Sequence, residues 1–130
     1  MAPRETVRTP VRLAVVRGGL AAECTVRDDA VRVALSGTLD RSTLRSVRRR
    51  VEQRLWRRGL CVELDGRRLR HVDYRAAGDL LAWHRDLKAY GHRLLLVGWS
   101  RYLRTILVLG WGGEPAVCRP DHRRHAGPRP

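Results

Sequence analysis

The order of apolar runs and turn residues between positions 60 and 98 constrains this chain more than any other feature. A short apolar run ends at Asp65, an amphipathic segment opens at Asp73 and stops at Gly91, and a second apolar run fills 94–97. This order predicts strand, loop, helix and strand with short connections, as in two parallel strands joined by a helical crossover. Unpaired backbone N–H groups at the start of that helix favour anions near Asp73.

The rest of the sequence extends this unit into a small α/β domain. Short strands are predicted at 23–27 and 31–35, and a helix is predicted over 42–58 because apolar residues recur there at helical spacing. A last helix is expected to begin after Ser100 and to end at Gly110. This alternation predicts a mostly parallel sheet of four to five strands with three helices.

Composition divides the chain into three segments. Residues 1–20 carry prolines without periodicity, so we expect them to be disordered or loosely ordered, although 11–16 could form a short extra strand. Residues 21–113 hold the predicted domain. Residues 114–130 are dominated by proline, arginine and histidine, which predicts a basic disordered tail.

The chain carries a net charge of +14, and nearly all of its cations are arginines, Lys88 being the only lysine. Arginine suits contacts with phosphate and carboxylate groups, but a GC-rich coding bias would also produce this composition. Because the arginines are spread along the chain, any binding of nucleic acid is expected to be non-specific. No apolar run reaches the length of about 18 residues typical of a membrane helix, and no secretory signal is evident, so we expect a cytoplasmic protein without membrane insertion.

Catalytic motifs are missing from the sequence. It contains no nucleophile elbow, P-loop, dinucleotide fingerprint or two-histidine zinc motif, and no second catalytic group accompanies Asp65 and Asp73. Asp73 is better explained as a helix N-cap and Asp65 as a polar contact at a strand end. Cys118, His122 and His125 offer only three ligands in a tail segment. We therefore expect no enzyme activity, no cofactor and no metal.

Several of these motifs follow one another in the order of a known family. The strand ending in Asp65, the helix opening at Asp73 and the strand end at 96–98 are spaced without a gap, and the sequence LSGTLD at 35–40 precedes them. Together with a last helix at 100–110, this order resembles the STAS domain, the fold of bacterial anti-sigma-factor antagonists. The resemblance implies a small STAS-like βα domain.

The resemblance covers about residues 22–112, and its main departure lies at the start of the second helix. In the family, the second serine of a D-S-S-G motif is phosphorylated by a partner anti-sigma kinase. Arg75 stands at that position here, Tyr74 replaces the first serine and Ala76 replaces the glycine. A fixed cation thus occupies the place of a hydroxyl that would become a dianion, and the phosphorylation switch is not carried over.

The resemblance implies a non-catalytic protein-interaction module that regulates transcription by binding an anti-sigma factor or a serine kinase-like regulator. Tyrosine and arginine are enriched at interface hot spots, so we predict a partner-binding surface around the loop and the following helix start. Its members are Arg67, Arg70, Asp73, Tyr74, Arg75 and Asp79. Two alternatives stay open, a basic nucleic-acid-binding protein and a STAS accessory subunit of a membrane transport complex. The partner's identity and the oligomeric state stay open as well.

Overall fold

The computed structural model describes residues 11–13, 19–113 and 118–119. Within these ranges the elements are, in chain order, β1 (Val11–Leu13), β2 (Leu20–Arg27), β3 (Ala30–Leu39), α1 (Arg41–Glu52), β4 (Cys61–Val72), α2 (Tyr74–Ala89), β5 (Arg93–Val97), α3 (Arg101–Trp111) and β6 (Cys118–Arg119).

The strands form one sheet whose spatial order is the chain order, from β1 to β6. The first two pairs, β1 with β2 and β2 with β3, are antiparallel, and the remaining pairs are parallel. The predicted α/β class, with a mostly parallel sheet and three helices, is confirmed. The described residues bring the sheet to six strands instead of four to five, because short strands are added at both edges.

These edge strands lie in segments that were expected to be disordered. Residues 11–13 pair with β2 inside the predicted N-terminal segment, and residues 118–119 pair with β5 inside the predicted tail. The strand at 11–13 falls within the short extra strand that was considered for 11–16, whereas the pairing of 118–119 differs from the expected disorder of the tail, because backbone pairing at a sheet edge needs no apolar periodicity. The neighbouring parts of both segments, including His122 and His125, lie outside the described residues.

Strand β4 is much longer than the predicted strand, which ended at Asp65. Its pairing with β5 stops at Asp65, which lies opposite Val97, but its pairing with β3 continues to Val72. Register shifts in the β3–β4 ladder, on either side of Gly37, accommodate the polar continuation. The predicted loop before α2 is therefore mostly strand, and its arginines project from a sheet.

Helix α1 is shorter than predicted, ending at Glu52 instead of near position 58. Its start is a capping box in which Asp40 accepts a hydrogen bond from the backbone N–H of Thr43 at 2.8 Å. At the end of α1, the backbone N–H of Arg54 donates to the carbonyl of Val51 at 2.8 Å, and this shorter-range bond tightens the last turn. The chain turns there because it must cross to the start of β4.

The core lies between one face of the sheet and the helices. Alternate residues of the central strands share this face, as period-two geometry requires. They are Leu20, Ala22, Cys24, Val31, Val33, Leu35, Val62, Leu64, Leu94 and Leu96, all buried. Trp83 of α2 is the largest fully buried side chain. It joins the sheet residues and the apolar stripes of all three helices in one cluster.

Candidate partner-binding surface

The start of α2 is held in place by the strand end that precedes it. Val72 is fully buried, and the N–H of Asp73 bonds the carbonyl of Leu39 at 2.8 Å, which ties the entry of α2 to the end of β3. Asp73 occupies the N-cap position that was predicted, but its side chain makes no capping hydrogen bond. The first turn of α2 therefore has no side-chain cap from Asp73.

Helix α3 packs beside this start. The indole Nε1 of Trp111 donates to the carbonyl of Ala77 at 2.7 Å, and a Cβ on Gly110 would lie 2.7 Å from the Cβ of Ala77. Glycine at position 110 thus allows the two helices to approach closely. At the other end of α3, the hydroxyl of Tyr102 lies 2.8 Å from Nδ1 of His71 on β4.

Four exposed aromatic and basic side chains lie within six consecutive positions where β4 leads into α2, and Tyr102 reaches them through its contact with His71. Tyr74 is 60% exposed and Tyr102 is 55% exposed, although both are large aromatic residues. We call the α2-start surface the set formed by Arg70, His71, Tyr74, Arg75 and Tyr102, all exposed. Such a mixture of aromatic and guanidinium groups is typical of protein interfaces.

Arg75 has an electrostatic cost in the free protein. It lies in the first turn of α2, where the helix carries partial positive charge, and no acidic residue occurs in that turn. A cation at this place is unfavourable for the isolated helix. The arrangement favours an incoming carboxylate or other anion at the α2-start surface.

Two of the predicted partner-binding residues are held by internal ion pairs. Nη2 of Arg67 lies 2.9 Å from Oδ2 of Asp65, and Nε of Arg41 on α1 lies 2.8 Å from Oδ2 of Asp79. Asp79 consequently faces α1. Of the six predicted residues, Arg70, Tyr74 and Arg75 are exposed at the α2-start surface, and Asp73 is partly buried beneath it.

His71 and Tyr102 belong to this surface although the sequence did not single them out. Tyr102 precedes Leu103 and lies off the apolar stripe of the predicted last helix, which is a weak signal for an exposed aromatic residue. His71 lies in the segment that was predicted to be a loop, so no sequence pattern indicated that it would lie on a surface with Tyr102. Their proximity depends on the packing of α3 against the end of β4, which no local pattern encodes.

Asp65 is the most buried charged residue in the described part of the chain, with 4% of its surface exposed. It accepts hydrogen bonds from Nη2 of Arg32 at 2.8 Å, from Nη2 of Arg67 at 2.9 Å and from the backbone N–H of Arg67 at 3.0 Å. Burial would raise the pKa of Asp65, but these hydrogen bonds outweigh it and hold the pKa below its ordinary value. The carboxylate is thus fixed in its charged, fully bonded form, which makes it a structural group.

The described residues contain no group of three or more histidine, cysteine, aspartate or glutamate side chains placed to hold a metal ion. Cys118, from the weak tail pattern, is half-buried on β6. In the same part of the chain, no helix is long and apolar enough to cross a membrane.

Comparison with known proteins identifies the family. The family described as Mlab, STAS domain matches residues 24–115, and the chain therefore belongs to the STAS-domain family, as the sequence motifs predicted. No curated protein matches the sequence.

Two solved structures share the fold of this chain. The anti-sigma factor antagonist SpoIIAA in its unphosphorylated form is 20% identical with a TM-score of 0.63, and the match covers 84% of this chain and 95% of that one. The Bacillus cell fate determinant SpoIIAA in the phosphorylated form is 22% identical with a TM-score of 0.62, and the match covers 84% and 98% of the two chains.

Proposed function

We propose that this chain is a non-catalytic interaction module that regulates transcription in the cytoplasm by binding an anti-sigma factor or a serine kinase-like regulator. The observation that carries the proposal is the α2-start surface, where Tyr74 and Tyr102 are more than half exposed and Arg70 and Arg75 are exposed as well. Its partner-facing residues are Arg70, Tyr74 and Arg75, with His71 and Tyr102 added from the structure.

The charge of this surface supports an acidic partner. Arg70 and Arg75 have no ion pair among the residues that the structure describes, and the side chain of Asp73 makes no capping hydrogen bond at the helix start. A partner carboxylate placed there would meet two guanidinium groups and the positive end of α2. Complementary charge of this kind accelerates association and fixes orientation.

The proposed module works without phosphorylation at the start of α2. Arg75 has no hydroxyl group, and it already presents the opposite charge to a phosphoserine. The exposed hydroxyl of Tyr74 is a poor substrate for a serine kinase. Binding is therefore expected to be constitutive, controlled by the amount of the chain.

Calorimetric titration of the purified chain with an anti-sigma factor tests the proposal. Tyr74→Ala and Arg75→Glu should each weaken binding by roughly 1–3 kcal/mol if they are hot spots, since both are exposed at the start of α2. Tyr90→Ala and Arg85→Glu are matched controls, because Tyr90 is 69% exposed at the opposite end of α2 and Arg85 is exposed on the same helix. These controls should bind like the wild type.

Equal binding by all four variants would contradict the proposed surface. Incubation with the kinase and ATP adds a second readout, in which phosphate on Tyr74 would contradict constitutive binding. If the chain binds a subunit of a transport complex and not the anti-sigma factor, the proposed partner is wrong. The same variants would then show whether that subunit binds the α2-start surface.

A further inference from the structure

A groove between α1 and α2 encloses a cavity of about 220 Å³. It lies along the sides of the two helices, and its lining includes Leu44 and Arg45 from α1 and Ala82 and Trp83 from α2. The exposed residues of the α2-start surface do not line it. The volume is below the range of about 300–1,000 Å³ that is usual for drug-sized ligands, so it suits a small molecule.

Two ion pairs bracket this groove. Arg41 pairs with Asp79 at 2.8 Å, and Arg48 pairs with Asp86 at 2.9 Å, each joining α1 to α2. Residues separated by seven positions lie on the same helix face about two turns apart, which holds here for both the arginines and the acids. The pairs therefore form the outer rungs of a ladder between the helices.

The middle rung of this ladder lacks its acid. Arg45 lies between Arg41 and Arg48 on the same face of α1, and Ala82 lies between the two aspartates on α2. Both residues line the cavity. Alanine cannot pair with a guanidinium group, and Arg45 has no ion pair or hydrogen bond with any residue in the described ranges. Arg45 and Ala82 thus border the cavity at the level where a third ion pair between the helices would lie.

The buried Trp83 also lines the cavity. Trp83 is fully buried, and its indole N–H has no hydrogen-bond acceptor among the described residues. The guanidinium carbon of Arg48 lies 5.9 Å from the centre of the Trp83 ring, so the ring also carries a cation beside it. An arginine without an ion pair and a tryptophan with an unsatisfied donor thus line one cavity.

We infer that this groove binds a small organic monocarboxylate. Its carboxylate pairs with Arg45 in place of the missing acidic side chain, and its apolar part contacts Leu44, Ala82 and Trp83. The outer rungs are themselves arginine–carboxylate pairs, so the spacing of the helices already matches this pair. Arg41 and Arg48 are already paired with acids, which leaves one guanidinium group to neutralise and so favours a monoanion over a dianion such as phosphate. The site is separate from the proposed partner-binding function, which does not depend on it.

Titration of the ¹⁵N-labelled chain with benzoate, followed by NMR, tests this inference. Benzoate should shift the indole signal of Trp83 and the Nε signal of Arg45 in a saturable manner. Benzamide, which has the same shape without the charge, and inorganic phosphate should bind at least tenfold more weakly. Arg45→Gln should weaken benzoate binding at least tenfold, whereas Arg49→Gln, an exposed arginine elsewhere on α1 that does not line the cavity, should not.

Ala82→Glu provides an independent test, because it supplies the missing acid from the chain itself. Position 82 is exposed, so the variant should fold, pair with Arg45 and lose benzoate binding. The inference is overturned if benzoate leaves both signals unmoved, if benzamide or phosphate binds as well as benzoate, or if Arg45→Gln or Ala82→Glu binds benzoate like the wild type. Failure of the Tyr74 and Arg75 variants to affect partner binding would not bear on these results.

Discussion

Replacing Asp65 by asparagine should reveal how much a buried, doubly paired carboxylate stabilises this fold. Asp65 lies on β4 opposite Ala34 of β3 and Val97 of β5. Its carboxylate accepts hydrogen bonds from both Arg32 and Arg67. Asparagine keeps the size of the side chain but removes the charge, and it replaces one acceptor oxygen by a donor that faces guanidinium groups.

The expected loss of stability follows from the exposure of the partners. Breaking a fully buried pair costs about 3–5 kcal/mol. Here the side chains of Arg32 and Arg67 are 26% and 48% exposed, so water can solvate both cations once the charge at position 65 is removed. Discounted for this screening, the loss should be about 2 kcal/mol. For a domain of this size, that corresponds to a decrease in Tm of about 8–16 °C.

Thermal and urea unfolding at neutral pH, followed by circular dichroism, measure this loss. Asp79→Asn is the matched control, because Asp79 also pairs with an arginine at 2.8 Å but in an exposed position, and its unfolding should change little. A Tm for Asp65→Asn within about 2 °C of the wild type, a change worth well under 1 kcal/mol, would refute the reasoning.

The dependence of the unfolding free energy on pH in the acid range gives a second test of the role of Asp65. Because the folded pKa of Asp65 is lowered, its contribution is fully present above the unfolded pKa of about 3.9 and is lost as the pH falls through the folded pKa. The difference in unfolding free energy between wild type and Asp65→Asn should therefore shrink below about pH 4. A difference that stays constant down to pH 2 would show that the charge is not the cause.

Three further predictions concern other parts of the fold. Gly110→Val should separate α3 from α2, because a Cβ at position 110 would already lie 2.7 Å from the Cβ of Ala77. The separation should lower the Tm and alter the near-ultraviolet circular dichroism, and an unchanged Tm would contradict this prediction. Arg75→Glu should stabilise the free chain in urea by about 0.3–1 kcal/mol while weakening partner binding, and a destabilised variant would contradict the dipole argument. Burial raises the pKa of the Cys24 and Cys61 thiols, so neither should react with a thiol reagent at pH 7 until the chain unfolds; rapid labelling of either in the folded chain would contradict this.

Local patterns were sufficient to predict most of the elements. The strand at 93–97 covers the predicted apolar run at 94–97, and α2 begins at Tyr74, directly after the predicted opening at Asp73. Ser100 caps α3 by accepting a hydrogen bond from the N–H of Leu103 at 3.2 Å, as its position before an apolar stripe suggested. These features follow from periodicity and capping, which depend on residues only a few positions apart.

The residues at which β4 and α1 end could not be predicted from such local patterns. Residues 66–72 are largely polar and contain three arginines, so they resemble a loop, yet they pair with β3 through a register shift. The apolar spacing of Val51 and Leu55 continues the helical pattern, yet α1 stops at Glu52. In both places a requirement of the whole fold, a partner strand or a path to the next strand, outweighs local preference.

By itself, the sequence determined the alternation of strands and helices, the STAS family and the absence of a hydroxyl at Arg75, because each depends on residue identity and short-range spacing. Only the tertiary structure decided which side chains meet. It joined His71 to Tyr102, bound Arg67 and Asp79 internally and left Arg45 facing an alanine across a groove. Such contacts depend on how distant elements pack, and the packing of α1, α2 and α3 on one sheet face is a property of the whole chain.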